Sequence, residues 1–214
     1  MSAGASLLDL VILVPGKDEE ATMAALLSMR RQSLRIREVA YRILLHPRRD
    51  PGCFLEATDV LQPYQAKADH ALVLFDHAGS GQENRSAEDV EAELNRRLAN
   101  SGWHDRAAVI VIVPELETWV WSDSPEVDVA LCWEGRSPGL REWLRSQDLM
   151  KTEAIKPDDP KRAVEHALRE ARIPRSSAIY GQLASNVSLE RCNDPGFLKL
   201  KSRLRSWFGR EALR

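Results

Sequence analysis

Acidic residues follow three apolar segments of this chain, each close to the point where the segment ends. The segments and their acids are 109–113 with Glu115 and Glu117, 71–75 with Asp76, and 10–14 with Asp18, Glu19 and Glu20. In an open α/β sheet, ligands bind outside the carboxyl ends of the strands, so these carboxylates are expected to meet in one crevice. Oxygen ligands of this kind hold hard divalent cations, which support hydrolytic chemistry. The spacing therefore predicts a site for Mg²⁺ or Mn²⁺.

The candidate residues fall into catalytic, metal-binding and phosphate-binding sets. The predicted catalytic residues are Asp76, Glu115, Glu117, Glu19 and Glu20. The predicted metal ligands are Asp76, Glu117, Asp18 and Glu20. The predicted phosphate-binding residues are Lys17, Arg48 and Arg49. The two arginines follow the second predicted strand, and paired guanidinium groups beside an acidic crevice suit a phosphodiester backbone.

Each candidate also has an ordinary structural explanation. An acid in the first turn of a helix is stabilised by the helix dipole, which would account for Glu115 and for the acids at 18–20. Asp76 could form a turn into the glycine-containing loop after it, and the two arginines could be solvated loop residues. Glu117 is harder to explain in this way. It lies among Leu, Trp and Val residues, where an acid needs a partner.

The composition is that of a globular protein without a strong overall charge. The chain has 214 residues, of which 43% are hydrophobic and 29% charged, and its net charge is −2. This charge gives no global attraction to nucleic acid or to a membrane surface. No apolar run approaches the roughly 20 residues of a membrane span, and we expect a cytoplasmic protein without membrane association. We expect Cys53, Cys132 and Cys192 to be reduced, buried thiols.

Strand and helix patterns alternate in the first half of the chain. Strands are predicted at 7–14, 39–46, 70–75 and 107–113, and helices at 17–31, 52–64 and 87–99. This alternation predicts an α/β fold with a four-stranded, mostly parallel sheet and flanking helices. Beyond residue 114 only helices are predicted, at 115–122, 126–132, 138–145, 160–172, 176–185 and 194–208. We therefore predict an α/β core over 1–123 and a helical extension over 124–214, packed on the core.

Several of these segments resemble a TOPRIM-type domain. The resemblance lies in a first strand leading to Gly16 and acids, in Asp76 before a small-residue loop, and in the Glu-x-Glu-x-Trp pattern of residues 115–119. Residues 113–123, 156–161 and 192–197 resemble the small TOPRIM-like proteins of bacterial defence loci. The resemblance implies a magnesium-dependent nuclease in anti-phage defence, in a methylation-associated system. Its partners would be nucleic acid and protein subunits of that system.

The chain departs from the TOPRIM pattern at two positions. TOPRIM domains coordinate magnesium through a Glu in the first motif and an Asp-x-Asp after the third strand. Asp76 matches the first Asp, but Pro15 and Ala78 occupy the other two positions. Two functions therefore stay open: phosphodiester hydrolysis at an altered site, or a non-catalytic subunit with a degenerate site that acts through protein or nucleic-acid binding. A shared ion requires Asp76 and Glu117 to lie within about 10 Å of each other.

Overall fold

The computed structural model describes residues 8–210 and contains a four-stranded sheet in which every pair of neighbouring strands is parallel. The strands are β1 Leu8–Val14, β2 Tyr41–Leu45, β3 Ala68–Asp76 and β4 Ala107–Ile112, in the order β2-β1-β3-β4. The prediction of an α/β fold with a parallel sheet and flanking helices is confirmed. Residue 7 of the first predicted strand lies outside the described residues.

The helices divide between the two faces of the sheet and the C-terminal half of the chain. They are α1 Lys17–Met29, α2 Arg31–Leu34, α3 Arg49–Leu55, α4 Ala57–Leu61, α5 Ala87–Leu98, α6 Glu117–Val120, α7 Glu126–Ala130, α8 Leu140–Ser146, α9 Pro160–Ala171, α10 Ser177–Asn186 and α11 Pro195–Phe208. Short 3₁₀ turns at Gln62–Tyr64 and His104–Arg106 and a π turn at Ala99–Trp103 complete the elements. Ser86 caps α5 by accepting a hydrogen bond from the backbone N–H of Asp89.

Two predicted helices differ from the observed elements. The helix predicted at 52–64 is divided into α3, α4 and a 3₁₀ turn, because Glu56 leaves helical geometry between the first two. The helix predicted at 115–122 is reduced to the single turn α6. Trp121, directly after this turn, has non-helical backbone angles (φ −80°, ψ 47°), so the helix ends at Val120.

The sheet is buried on both faces, which explains why its strands are apolar almost throughout. Ile12 of β1 belongs to a large core that also contains Trp121, Val164 and Leu204. Its neighbour Val11 points to the opposite face, where α3, α4 and α5 pack. One continuous apolar core thus includes both the sheet and the helices of the C-terminal half.

Three buried tryptophans tie the C-terminal helices to the end of β4. The indole N–H of Trp119 donates to Asp194 Oδ1 at 2.8 Å, and that of Trp121 donates to the carbonyl oxygen of Pro160 at 3.0 Å. The indole N–H of Trp133 donates to the carbonyl of Ala167 at 3.3 Å. A buried indole N–H needs such a partner. The bond from Trp121 holds the first turn of α9 beside the loop that follows β4, and the bonds from Trp119 and Trp133 reach the start of α11 and a later turn of α9.

The thiols follow the prediction at two of three positions. Cys53 and Cys192 are free and buried, whereas Cys132 is free and exposed, so its predicted burial is wrong. Cys132 has left-handed backbone geometry, and both of its neighbours, Leu131 and Trp133, are buried. The larger apolar side chains take the interior, and the small thiol is left at the surface. Within residues 8–210, no helix has the length and apolar character to span a bilayer.

Candidate metal-binding site

Three buried carboxylates meet at the carboxyl edge of the sheet. Asp76, Glu115 and Glu117 each offer one oxygen, and these oxygens all lie within 4.8 Å of one another. Hard divalent cations bind oxygen at about 2.0–2.6 Å, so oxygens this far apart can share one ion. The requirement that Asp76 and Glu117 lie within about 10 Å of each other is therefore met. This cluster could hold a divalent metal.

Backbone hydrogen bonds bring the ends of β3 and β4 together. Asp76 is the last residue of β3, and β4 ends at Ile112. The N–H of His77 donates to the carbonyl of Ile112 at 2.8 Å, and that of Ala78 donates to the carbonyl of Pro114 at 2.9 Å. The two loops leave the sheet side by side, so the parallel pairing of the strands itself positions the cluster.

Asp76 is the member of the cluster with a buried oxygen that lacks a hydrogen-bond partner. Its side chain is buried, and its Oδ1 has no hydrogen-bond partner among the described residues. Burial raises the pKa of Asp76 well above its ordinary value, and the neighbouring carboxylates of Glu19 and Asp50 raise it further. Buried polar atoms without a partner are rare because they lose their hydration without compensation. A cation at this oxygen would supply the missing interaction.

Two members of the cluster, Asp76 and Glu117, line an open cleft of about 480 Å³. The cleft also contains Glu19, which was predicted, and Asp50, which was not. Burial and the charges of Asp50 and Asp18 raise the pKa of Glu19 to about 7. Burial likewise raises the pKa of Asp50, whose Oδ1 accepts the backbone N–H of Asp76 at 2.9 Å. Asp50 thereby links the first turn of α3 to the end of β3.

Two side chains from the C-terminal half hold Glu117. Arg175 Nη2 donates to Glu117 Oε1 at 2.8 Å and to Asp18 Oδ2 at 2.8 Å. The Tyr180 hydroxyl donates to the same Glu117 oxygen at 2.6 Å. Burial and the nearby Glu117 carboxylate raise the pKa of Tyr180 well above its ordinary value, so Tyr180 remains a donor. Glu117 therefore has the partners that its apolar surroundings require.

Lys161 holds Glu115 in a similar way. Its backbone N–H donates to Glu115 Oε1 at 3.1 Å, and its Nζ lies 3.5 Å from Oε2. Burial raises the pKa of Glu115, and the Glu117 carboxylate adds to this effect. Burial of Lys161 opposes its positive charge, but Glu117 and Glu115 outweigh this and raise the pKa of the ammonium group. The N-terminal end of α9 also stabilises the carboxylate through the helix dipole.

The other predicted site residues lie at different distances from the cluster. Asp18 and Arg49 line the cleft, as does Lys17, whose Nζ pairs with Glu20 at 2.7 Å. Glu20 and Arg48 are outside the cleft lining, and the guanidinium of Arg48 pairs with Glu56. The structure thus brings Asp18 and Glu19 from the first loop to the cleft and directs Glu20 to a surface ion pair.

A buried histidine fixes the loop that carries Asp50. His46 Nδ1 accepts the backbone N–H of Arg48 at 3.1 Å, and its Nε2 lies 3.1 Å from a carboxylate oxygen of Glu56. The imidazole ring packs directly against the backbone of Gly52, where a Cβ atom would overlap it. Glycine at this position therefore allows the close packing that places Asp50 within hydrogen-bond distance of the Asp76 backbone.

Substituting Gly52 with Ala is expected to lower the free energy of unfolding by about 2 kcal/mol, because the added methyl group displaces the His46 ring. Chemical denaturation measures the loss. The matched control is Gly139→Ala, since a Cβ at Gly139 has no atom within 4 Å and the backbone φ is negative. Equal stability of the two variants would contradict the role assigned to Gly52.

Sequence reasoning missed Asp50, Lys161, Arg175 and Tyr180. Asp50 had a usable signal, because it lies shortly after β2 at the same edge of the sheet as the other acids. The other three residues belong to the helical half of the chain, and no local pattern connects them with the strand ends.

Fold and site together define an α/β protein with an acidic cleft at the carboxyl edge of a parallel sheet. Comparison of the chain with protein-family models, with curated proteins and with solved structures finds no match. The chemistry of the cleft is therefore the basis for assigning a function.

Proposed function

We propose that this protein is a divalent-metal-dependent phosphodiesterase that acts on nucleic acid. The observation that carries the proposal is the buried Asp76 Oδ1, which has no hydrogen-bond partner among residues 8–210 and lies beside two further buried carboxylates. A buried carboxylate oxygen without a partner is costly, and an ion bound beside it would supply the missing interaction.

The donor set fits a hard cation. Asp76, Glu115 and Glu117 provide carboxylate oxygens only, which suits Mg²⁺ or Mn²⁺ better than a metal that prefers nitrogen or sulfur ligands. These three residues would hold the ion, and a bound ion would stabilise the negative charge that develops on a phosphodiester and activate a water. Among the described residues, the oxygens that lie within 4.8 Å of one another belong to Asp76, Glu115 and Glu117, so Asp18 and Glu20 are not part of this set.

The protein's own residues position the ligands. The Tyr180 hydroxyl orients Glu117 through a hydrogen bond to Oε1. The backbone N–H of Lys161 orients Glu115 in the same manner. Such outer partners fix the direction of a carboxylate and tune its affinity for a metal.

The choice of substrate is supported by the charges around the cleft and by the resemblance to TOPRIM-like proteins. Four basic residues line the cleft: Lys17, Arg49, Lys161 and Arg175. Cations beside a metal site favour a phosphodiester over a neutral substrate. DNA and RNA share this group, so both are candidate substrates. A role in bacterial anti-phage defence stays a prediction from the resemblance.

The test is metal-dependent cleavage by the purified protein. We expect labelled single-stranded DNA, duplex DNA or RNA to be cut with Mg²⁺ or Mn²⁺ and to stay intact with a chelator. Glu115→Gln should abolish cleavage, whereas Glu142→Gln, on the exposed surface of α8, should leave it unchanged. A folded protein that cuts none of these substrates with either metal would contradict the enzymatic proposal.

A second candidate is a non-catalytic subunit that binds protein or nucleic acid. One observation favours it: Arg175 and Lys161 already compensate two of the three clustered carboxylates. In that case the cluster would be a structural ion-pair network. Thermal unfolding separates the two candidates, because an ion that binds only the folded state raises the melting temperature. A melting temperature unchanged by Mn²⁺ would favour the subunit, and co-purification would then identify its partner.

A further inference from the structure

Arg175 and Lys161 reach the acidic cluster from the C-terminal half of the chain. Arg175 lies in the segment between α9 and α10, and Lys161 lies in the first turn of α9. Both line the cleft, and both side chains keep solvent access, with 34% and 43% of their surface exposed. They are therefore accessible to a ligand that enters the cleft.

Each of these cations has one partner that would hold a metal. Arg175 also pairs with Asp18 at 2.8 Å and with Glu165 at 3.4 Å. Arg175 Nη2 lies 2.8 Å from Glu117 Oε1, and Lys161 Nζ lies 3.5 Å from Glu115 Oε2. A divalent ion on the same carboxylates would take over the neutralisation of their charge. The guanidinium and ammonium groups would then have reduced attraction to the carboxylates and could bind a new anion. A guanidinium matches phosphate oxygens with two parallel hydrogen bonds, and an ammonium adds a point charge.

The cleft offers contacts to phosphate groups but few to nucleobases. Of the described residues that line it, only His46 carries an aromatic ring. Both nitrogens of that ring are already engaged, with the N–H of Arg48 and with Glu56. Stacking on aromatic rings and hydrogen bonds to base edges are the usual means of reading bases. Binding in this cleft should therefore depend on the backbone and not on base sequence.

We propose that Arg175 and Lys161 form the phosphate subsite of the cleft, so that the C-terminal helices supply the residues that grip the sugar–phosphate backbone. The inference rests on the proposed function, because the anion is the phosphodiester that lies beside the metal. In this proposal Arg175 and Lys161, which contact the cluster, take the phosphate-binding role that the sequence predicted for Arg48. Arg48 instead pairs with Glu56 outside the cleft lining. Arg175 and Lys161 also make the C-terminal half part of the active site.

Binding measurements separate the phosphate subsite from the metal site. The probe is a fluorescein-labelled single-stranded DNA with phosphorothioate linkages, followed by anisotropy in the presence of Mn²⁺. Arg175→Gln and Lys161→Gln should each weaken DNA binding about tenfold, the usual effect of losing one charge-assisted contact. The control Arg145→Gln removes the same charge from the exposed surface of α8 and should change binding by less than about twofold.

Metal affinity should respond in the opposite direction. Titration calorimetry with Mn²⁺ alone should give Arg175→Gln an affinity at least equal to that of the wild type, because a competing cation has been removed from Glu117. A purely structural Arg175 would instead weaken metal and DNA binding together. The slope of log affinity against log salt should also fall by about 1 for each variant, since one phosphate contact is lost.

The outcomes distinguish failure of the subsite from failure of the function. A wild-type protein that binds no Mn²⁺ would overturn the proposed function. A wild type that binds Mn²⁺, together with variants that bind DNA as tightly as it does, would overturn the phosphate subsite alone. Should Arg175→Gln fail to fold, Lys161→Gln carries the test, since the Lys161 side chain is 43% exposed. An RNA of the same sequence should show the same losses, because it shares the phosphate group.

Discussion

Asp76→Asn is expected to reduce metal-dependent cleavage by about a thousandfold or more and, at the same time, to stabilise the metal-free protein. The loss of activity follows because an amide offers a neutral oxygen in place of a carboxylate at the centre of the cluster, next to Glu115 and Glu117. Stabilisation of transition-state charge by a bound ion contributes several kcal/mol, and about 4 kcal/mol corresponds to a thousandfold. Steady-state cleavage assays with Mg²⁺ and Mn²⁺ measure this effect.

The gain in stability has a separate cause. Asp76 is buried without a partner for Oδ1, and the carboxylates of Glu19 and Asp50 repel its charge. Asn has the same shape and no charge, and the backbone N–H of residue 76 keeps its bond to Asp50. We expect the metal-free variant to gain about 1–2 kcal/mol at pH 8, or a melting temperature about 2–6 °C higher. Sites that bind charged ligands often trade stability for function in this way.

The matched control is Asp128→Asn. Burial also raises the pKa of Asp128, but this residue lies in α7 and outside the cleft lining. Its substitution should leave cleavage and the melting shift with Mn²⁺ unchanged. Two results would contradict the role of Asp76: a variant that cleaves at the wild-type rate, or a metal-free variant that unfolds at a lower temperature than the wild type.

The sheet and the centre of the cluster were predictable because both follow from local rules. Alternating strand and helix patterns imply parallel strands, and parallel strands end at one edge. Asp76 at the end of β3 and Glu115 and Glu117 after β4 had to lie close together once β3 and β4 were neighbours. No tertiary detail beyond strand order was needed for this part of the site.

The remainder of the site depends on contacts that are distant in sequence. Arg175 meets Asp18 across 157 positions, and Tyr180 meets Glu117 across 63. Both lie in segments whose composition only indicates helix and loop. Their position at the cleft depends on how the C-terminal helices pack on the sheet. Buried tryptophans such as Trp121 fix this packing. Periodicity identifies a helix but not the element against which it packs.

The loop after β2 shows the same limit at short range. Arg48 and Asp50 are two residues apart, and the sequence favoured the arginine for the site. Packing of His46 on Gly52 turns the loop so that Asp50 enters the cleft and Arg48 pairs with Glu56. Which of two neighbouring charges faces inward depends on this tight contact, and a hydrophobicity pattern does not contain that information.

Raising the pH from 5 to 8 is expected to destabilise the metal-free protein, and Glu19 should contribute to this change. Burial, with Asp50 and Asp18, raises the pKa of Glu19 from 4.5 to about 7. The folded state therefore holds this proton more tightly than the unfolded state does. The resulting stability is fully present below pH 4.5 and is lost as the pH rises through about 7. The change corresponds to about 3 kcal/mol.

Two variants isolate this contribution. Glu19→Gln should flatten the dependence of the unfolding free energy on pH between 5 and 8. Glu20→Gln, at the neighbouring position in a surface ion pair with Lys17, should keep the wild-type dependence. Chemical denaturation at a series of pH values gives both curves. A metal-free wild type whose stability is constant or increases over this range would contradict the assignment of Glu19.

Added metal should reverse the trend, and this reversal connects the pH dependence with the function. Protons and a divalent cation compete for the same group of carboxylates, because metal ligands must be deprotonated. The stabilisation by Mn²⁺ should therefore be small at pH 5 and should grow as the pH rises towards 8. Asp76, whose pKa is raised well above its ordinary value, should add to this effect. In Asp76→Asn the stabilisation by Mn²⁺ should no longer increase with pH, because the carboxylate for which the proton and the ion compete is absent.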